Sequence, residues 1–196
     1  MQRPDVESLT MTTTRTIAQP TARPGAGEHA PYYGAYVDLV PDGDIVAQLK
    51  SQRESVVAFL RTIPESRSTI LHPPYTWTIR QVVGHLTDGE RIFGYRALRI
   101  ARGDTTALPG FDENEYARAP EFANVDLARL VDEFDAVRAS TIALYENLAP
   151  ESWSRRGHAN GQPVSVRALA YITVGHTIHH ANIVRKRLES PRLQPA

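Results

Sequence analysis

The chain has 196 residues and 22 Lys+Arg against 22 Asp+Glu, so no bulk charge draws it to nucleic acid or to an anionic membrane surface. Apolar residues make up 41 % and charged residues 22 %, the composition of one ordinary globular domain long enough to bury a core. It has no cysteine, which excludes disulfides, thiolate zinc sites and a cysteine nucleophile together.

Residues 1–30 are rich in Thr, Pro, Ala and Gly and show no helical or strand period, so a disordered tail is expected there, with the folded domain over 31–190. The first ten residues carry acidic groups and no apolar run, unlike a secretory signal. Met11 offers a second start for translation. No stretch approaches the ~20 apolar residues that span a bilayer, and a cytoplasmic protein is the expectation. Pro31–Pro41 is more aromatic and reads as an irregular lead-in packed on the domain.

Four long segments with helical periodicity follow. The first begins after Asp42-Gly43-Asp44, either Asp serving as cap, aligns Ile45, Leu49, Val56, Leu60 and Ile63, and stops at Pro64. The second runs from about Thr78 to Ala101, before Gly103. The third carries a seam of Leu127, Leu130, Phe134, Val137, Thr141, Leu144 and Leu148 between Asn124 or Asp126 and Pro150. The fourth runs from about Ser165 to Leu188, after Gly161-Gln162-Pro163 and before Pro191. No strand-period run competes, so the fold class is all-α, a four-helix bundle. The long link from Gly103 to Asn124 can cross the length of the bundle and leave helices two and three parallel, which predicts an up-down-down-up order.

Chemistry concentrates on the last helix. Leu169, Ile172, His176, His180 and Ile183 form one stripe, and at ~100° per residue His176 and His180 stand only ~40° apart, one turn above the other. Two neutral imidazoles so placed chelate a divalent metal; they are equally at home in a dimer-interface patch or a pH-sensitive packing feature. On the second helix Val82, His85 and Ile92 share a face, so His85 also points inward and can meet the other two if the helices are antiparallel. Three protein nitrogens leave coordination positions open, the arrangement of a catalytic site. Gly89, one turn after His85, leaves space on the same face.

Trp77-Thr78-Ile79-Arg80-Gln81-Val82-Val83-Gly84-His85-Leu86-Thr87-Asp88 resembles the second helix of the DinB superfamily, and most closely its YfiT-like branch of metal-dependent hydrolases and thiol transferases. In the same order, Pro109-Gly110-Phe111-Asp112-Glu113-Asn114-Glu115-Tyr116 resembles that branch's crossover. Gly157-His158 to Ser165 resembles the lead-in to its last helix, and Gly175-His176-Thr177-Ile178-His179-His180 its HxxHH signature. The likeness runs from about Asp44 to Leu188. It implies a four-helix bundle with one divalent metal ion, zinc or nickel, on His85, His176 and His180. His179, ~60° from His176, is left to support a ligand or the structure.

Asp88 is a candidate to orient a ligand imidazole. Asp112, Glu113 and Glu115 are solvated loop charges unless one reaches the site as a base; Tyr116 and Trp77 read as packing residues, His158 as a surface residue near the mouth of a pocket, and His72 has no assigned role. The resemblance further implies an enzyme acting on a small molecule in detoxification or stress response. The first choice is transfer of a low-molecular-weight thiol, which needs no cysteine from the protein. The alternatives are a hydrolase activating water at the same site, and a non-catalytic metal-binding bundle. Homodimers among relatives extend to this chain as an expectation, whereas nucleic-acid and membrane partners are not expected.

Overall fold

The computed structural model describes residues 22–189. Most of the expected tail, with Met11, lies outside the described residues. Four helices form the bundle: α1 Ile45–Arg61, α2 Ile79–Ala101, α3 Leu127–Glu146 and α4 Val166–Glu189. The starts follow local chemistry. The Asp44 carboxylate accepts the Val46 and Ala47 amides of α1, and Thr78 and Gln81 close a reciprocal capping box on α2.

Cross-helix contacts fix the directions. Lys50 pairs with Glu146 and Arg61 with Asp132, so α1 and α3 are antiparallel. Arg138 pairs with Glu90, and Thr141 lies beside Gly94, so α2 and α3 run parallel. Arg187, near the end of α4, donates to the Trp77 carbonyl just ahead of α2, while Gln52 of α1 donates to the Val174 carbonyl of α4. The order is up-down-down-up. The crossover makes the parallel pair possible by returning along α2: Arg80 and Gln81, at the start of α2, donate to the carbonyls of Ala123 and Ala117. It carries two short helices, Glu113–Ala117 and Glu121–Asn124.

One element departs from the all-helical expectation. Arg156–Ala159 and Gln162–Ser165 pair antiparallel, joined at Asn160-Gly161 with φ of 52° and 71°. Two successive positive φ values make the turn that matches strand twist, and Asn-Gly suits it because both residues tolerate that region. The backbone of Leu108 adds to this hairpin beside Ala159, anchoring the start of the crossover.

The domain also begins earlier than residue 31. Glu28 is buried and accepts hydrogen bonds from Ser165 and Arg167, and Ala30 is 2 % exposed. The helical turn Gly34–Val37 then lies so close to α4 that a Cβ on Gly175 would stand 2.0 Å from the Tyr36 carbonyl oxygen. Only glycine permits that approach.

The core is split by a polar layer. One apolar cluster gathers Leu49, Phe93, Tyr145 and Ile172; a second gathers Leu60, Val83, Phe134 and Val184. Between them, at one level of the bundle, lie Gln52, His85, Glu90, Arg138, His176 and Thr177. The seam of α3 accordingly runs through Arg138 and Tyr145, both 0 % exposed, where the apolar pattern pointed to the neighbouring Val137 and Leu144.

Candidate metal centre

His85, His176 and His180 meet in the polar layer, each offering a ring nitrogen within 4.8 Å of the others. Antiparallel packing of α2 and α4 brings the early histidine of one helix to the level of the paired histidines of the other. The Nε2 atoms of His85 and His176 are 2.8 Å apart. Burial pulls His85 down to about 4, and burial with the adjoining imidazoles pushes His176 and His180 well below the ordinary histidine range. All three are neutral at pH 7, the state in which imidazole donates a lone pair to a metal.

The surroundings hold the rings in place. The Trp77 ring centre lies 4.8 Å from that of His85, and Tyr36 and Phe93 stand nearly perpendicular to the His176 ring, each at 5.5 Å. Gly89 backs directly onto His176, where a Cβ would come within 3.0 Å of Cε1. Beneath the triad, Arg138 donates to Glu90 at 2.9 Å, to Gln52 at 2.6 Å and to Thr177 at 2.8 Å. This places a fully satisfied ion pair next to His176 along α4. The donor set fits a divalent ion: a tetrahedral zinc with ~2.0–2.1 Å bonds needs nitrogens about 3.3 Å apart, a few tenths of an ångström wider than the His85–His176 gap.

Other expected site residues fall elsewhere. Asp88 faces Arg91 at 3.8 Å and touches no imidazole, because its position on α2 turns it toward α3; burial and Glu133 raise its pKa. His85 Nδ1 is buried with no hydrogen-bond partner among the described residues, so no carboxylate backs this imidazole. His179 packs against Tyr36 at the edge of the cluster, outside the three converging rings, its pKa lowered by burial. Asp112 caps the helix Glu113–Ala117, Glu115 pairs with Arg118, and exposed Tyr116 packs on Phe111. His158 points to solvent from its strand, and His72 is buried against Arg187.

A cavity of about 320 Å³ opens over the triad. Its walls come from the lead-in (Tyr32, Tyr33, Tyr36), from α2 (Gly89, Phe93, Arg96), from the crossover (Phe111, Glu113) and from the hairpin turn (Asn160). Trp77, expected only to pack, lines it too. Asn160 was recognisable in advance from the Asn-Gly pair; Arg96 was recognisable as the position three residues after Phe93 on the inward face of α2. Glu90 and Arg138 gave no such signal.

The sequence matches the DinB superfamily over residues 11–184. This chain is a member of the DinB superfamily. Among solved structures, YfiT from Bacillus subtilis, described as a probable metal-dependent hydrolase with an unusual four-helix bundle topology, superposes with a TM-score of 0.64 at 15 % identity over 87 % of this chain and 94 % of its own. A mycothiol-dependent maleylpyruvate isomerase gives 0.62 at 12 % identity over 80 % of this chain and 64 % of its own. A DinB-like protein of Bacillus subtilis gives 0.51 at 23 % identity over 78 % and 96 %. No functionally curated protein matches in sequence. These likenesses establish the fold of the YfiT-like branch for this DinB protein. No helix among its described residues is long and apolar enough to cross a membrane.

Proposed function

We propose that this DinB protein is a divalent-metal-dependent enzyme that joins a low-molecular-weight thiol to a small electrophile. One observation carries the reading: three neutral imidazoles converge on the wall of a cavity. His85, His176 and His180 would hold the ion. Bound there, a zinc- or nickel-like ion supplies Lewis acidity that lowers the pKa of a thiol or of water.

The chain's own residues then do three things. Trp77, Tyr36 and Phe93 enclose the reacting atoms in an apolar wall that excludes water. Gly89 keeps the space beside His176 free. Glu113 is the one carboxylate among the residues lining the cavity and, from its rim, would take the proton a thiol S–H gives up. The absence of cysteine fits a reaction whose sulfur arrives with the co-substrate, and the mycothiol dependence of one structural neighbour supports the transferase reading. The hydrolase description of YfiT supports a second reading, in which water takes the thiol's place at the same site.

The deciding experiment loads the protein with zinc or nickel and compares two rates: consumption of mycothiol or N-acetylcysteine with a chromogenic aryl halide, and hydrolysis of aryl esters and amides. Thiol consumption that falls at least tenfold in His85→Ala is expected. Rates indifferent to His85→Ala would overturn the site as a catalytic centre, and metal-dependent hydrolysis without thiol transfer would establish the second reading.

A further inference from the structure

The cavity over the triad holds a second polar feature that the metal does not use. Arg96 lies on α2 with 3 % of its surface exposed and lines the cavity. Its Nη2 donates to the Pro109 carbonyl at 2.8 Å. It makes no other hydrogen bond of ordinary geometry to a described side chain or carbonyl, and it stands on the wall between this cavity and a smaller pocket lined by Ile92, Tyr95 and Leu108. No carboxylate pairs with Arg96 among the described residues; Glu90 is committed to Arg138 and Asp104 to Arg99. A guanidinium this buried without a counter-charge is costly, and an anion taken from the cavity would offset that cost.

Position says which part of a ligand the anion is. His85, Gly89, Phe93 and Arg96 follow one stripe of α2. Gly89 touches His176, and the seven residues from there to Arg96 rise about 10 Å; side chains of a helix lean toward its N-terminus, which shortens the gap. Phe93, Tyr33 and Tyr36 wall the space between. The Tyr33 hydroxyl lies within hydrogen-bonding reach of Arg96, and the guanidinium counters part of the upward push that burial and Tyr32 give its pKa. The other charged group on the wall, Glu113, is exposed, so the anion-attracting end lies inside and the anion-repelling group at the rim. Arg96 matches a carboxylate in kind, because a buried guanidinium gains from an anionic oxygen a charge-assisted hydrogen bond that a neutral group does not supply.

We infer that Arg96 is a carboxylate-recognition residue, and that the cavity selects a small ligand whose apolar or aromatic body lies between a carboxylate on Arg96 and a reacting atom at the histidines. The inference deepens the enzymatic reading, yet binding tests it without turnover. The probes are 3-phenylpropanoate and its uncharged amide, titrated into full-length protein both zinc-loaded and chelator-treated, and followed by NMR. Of the two tryptophans, only Trp77 lines the cavity, while Trp153 is buried against Tyr145. The acid should shift the Trp77 indole signal and bind about tenfold or more tightly than the amide in either metal state. Arg96→Gln should erase that preference, Arg96→Lys should retain part of it, and raising the salt should weaken the acid alone. Equal binding of acid and amide, no binding of either, or a preference that survives Arg96→Gln overturns the inference. Circular dichroism of both variants shows whether the crossover still docks, and if Arg96→Gln unfolds, the acid-to-amide ratio and its salt dependence in wild type decide alone. Failure of thiol transfer with an intact Arg96-dependent preference would strike only the proposed reaction.

Discussion

Replacing Gly89 by alanine sets two effects of opposite sign against each other. Glycine inside a helix is about 0.8–1.0 kcal/mol worse than alanine, so on α2 alone the variant gains roughly that much. The new methyl group, however, would stand 3.0 Å from Cε1 and 3.4 Å from Nδ1 of His176. Carbon atoms pack best at about 3.5–4.0 Å, so the imidazole must retreat by about half an ångström, and a displaced rotamer costs on the order of 0.5–1.5 kcal/mol. In metal-free protein the terms nearly cancel, and urea denaturation should place the variant within about 1 kcal/mol of wild type. Metal binding has no such compensation, because the three nitrogens must share one ion. Disturbing the support of a metal ligand typically costs 10–100-fold in affinity, and zinc titration against a chromophoric chelator should show a loss in that range. Gly94→Ala is the control: the same helix gains the same propensity, and its Cβ meets only Thr141 Oγ1, at 3.4 Å. If Gly89→Ala bound zinc as tightly as Gly94→Ala, the claim that Gly89 fixes the position of His176 would be wrong.

Two further perturbations probe the polar layer. The folded chain keeps His85 neutral down to about 4, whereas an unfolded histidine protonates near 6.5. Its contribution to the stability of metal-free protein is therefore complete above pH 6.5 and lost as pH falls toward 4, by about 3 kcal/mol at 1.36 kcal/mol per pH unit; the fall of the urea midpoint across that window should be shallower in His85→Gln, the remainder coming from His176 and His180, and an unchanged slope would contradict the assignment. Glu90→Gln leaves Arg138, fully buried, without its counter-charge, and the urea midpoint should drop by an amount equivalent to about 3 kcal/mol, most of it recovered in Glu90→Leu with Arg138→Met; a loss below about 1 kcal/mol would show that the pair is not held dry.

The bundle was legible because its helices announce themselves locally. Asp44 caps where the sequence offers a cap, Thr78 stands at the start expected for α2, and the long link after α2 anticipates the parallel pair it makes possible. The three histidines were legible for the same reason: His176 and His180 share one helical face, and His85 sits on another apolar face. What escaped is what depends on neighbours distant in sequence. Arg138 looks like a surface charge until Glu90, Gln52 and Thr177 arrive from three other helices to satisfy it. Asp88 turns away from the imidazoles through a rotation about α2 that its spacing alone does not determine. The hairpin hid because its strands are four residues each and one contains Pro163, although Asn160-Gly161 announced the turn. The cavity walls hid more thoroughly, since the lead-in and the crossover contribute irregular segments with no period to read.

The lead-in ahead of α1 has a consequence for how such a protein can diversify. Glu28 clamps it to Ser165 and Arg167, the close approach at Gly175 seats it on α4, and Tyr32, Tyr33 and Tyr36 face the cavity from it. The imidazoles and their supporting charges belong to the bundle, while half the aromatic wall belongs to a strap laid across it. Substitutions in the strap can reshape what the cavity admits and leave the helices that carry the histidines untouched. The aromatic wall and the histidine cluster thus sit on separately adjustable parts, and exchanging residues 22–41 between relatives would change the wall while leaving the three imidazoles in place.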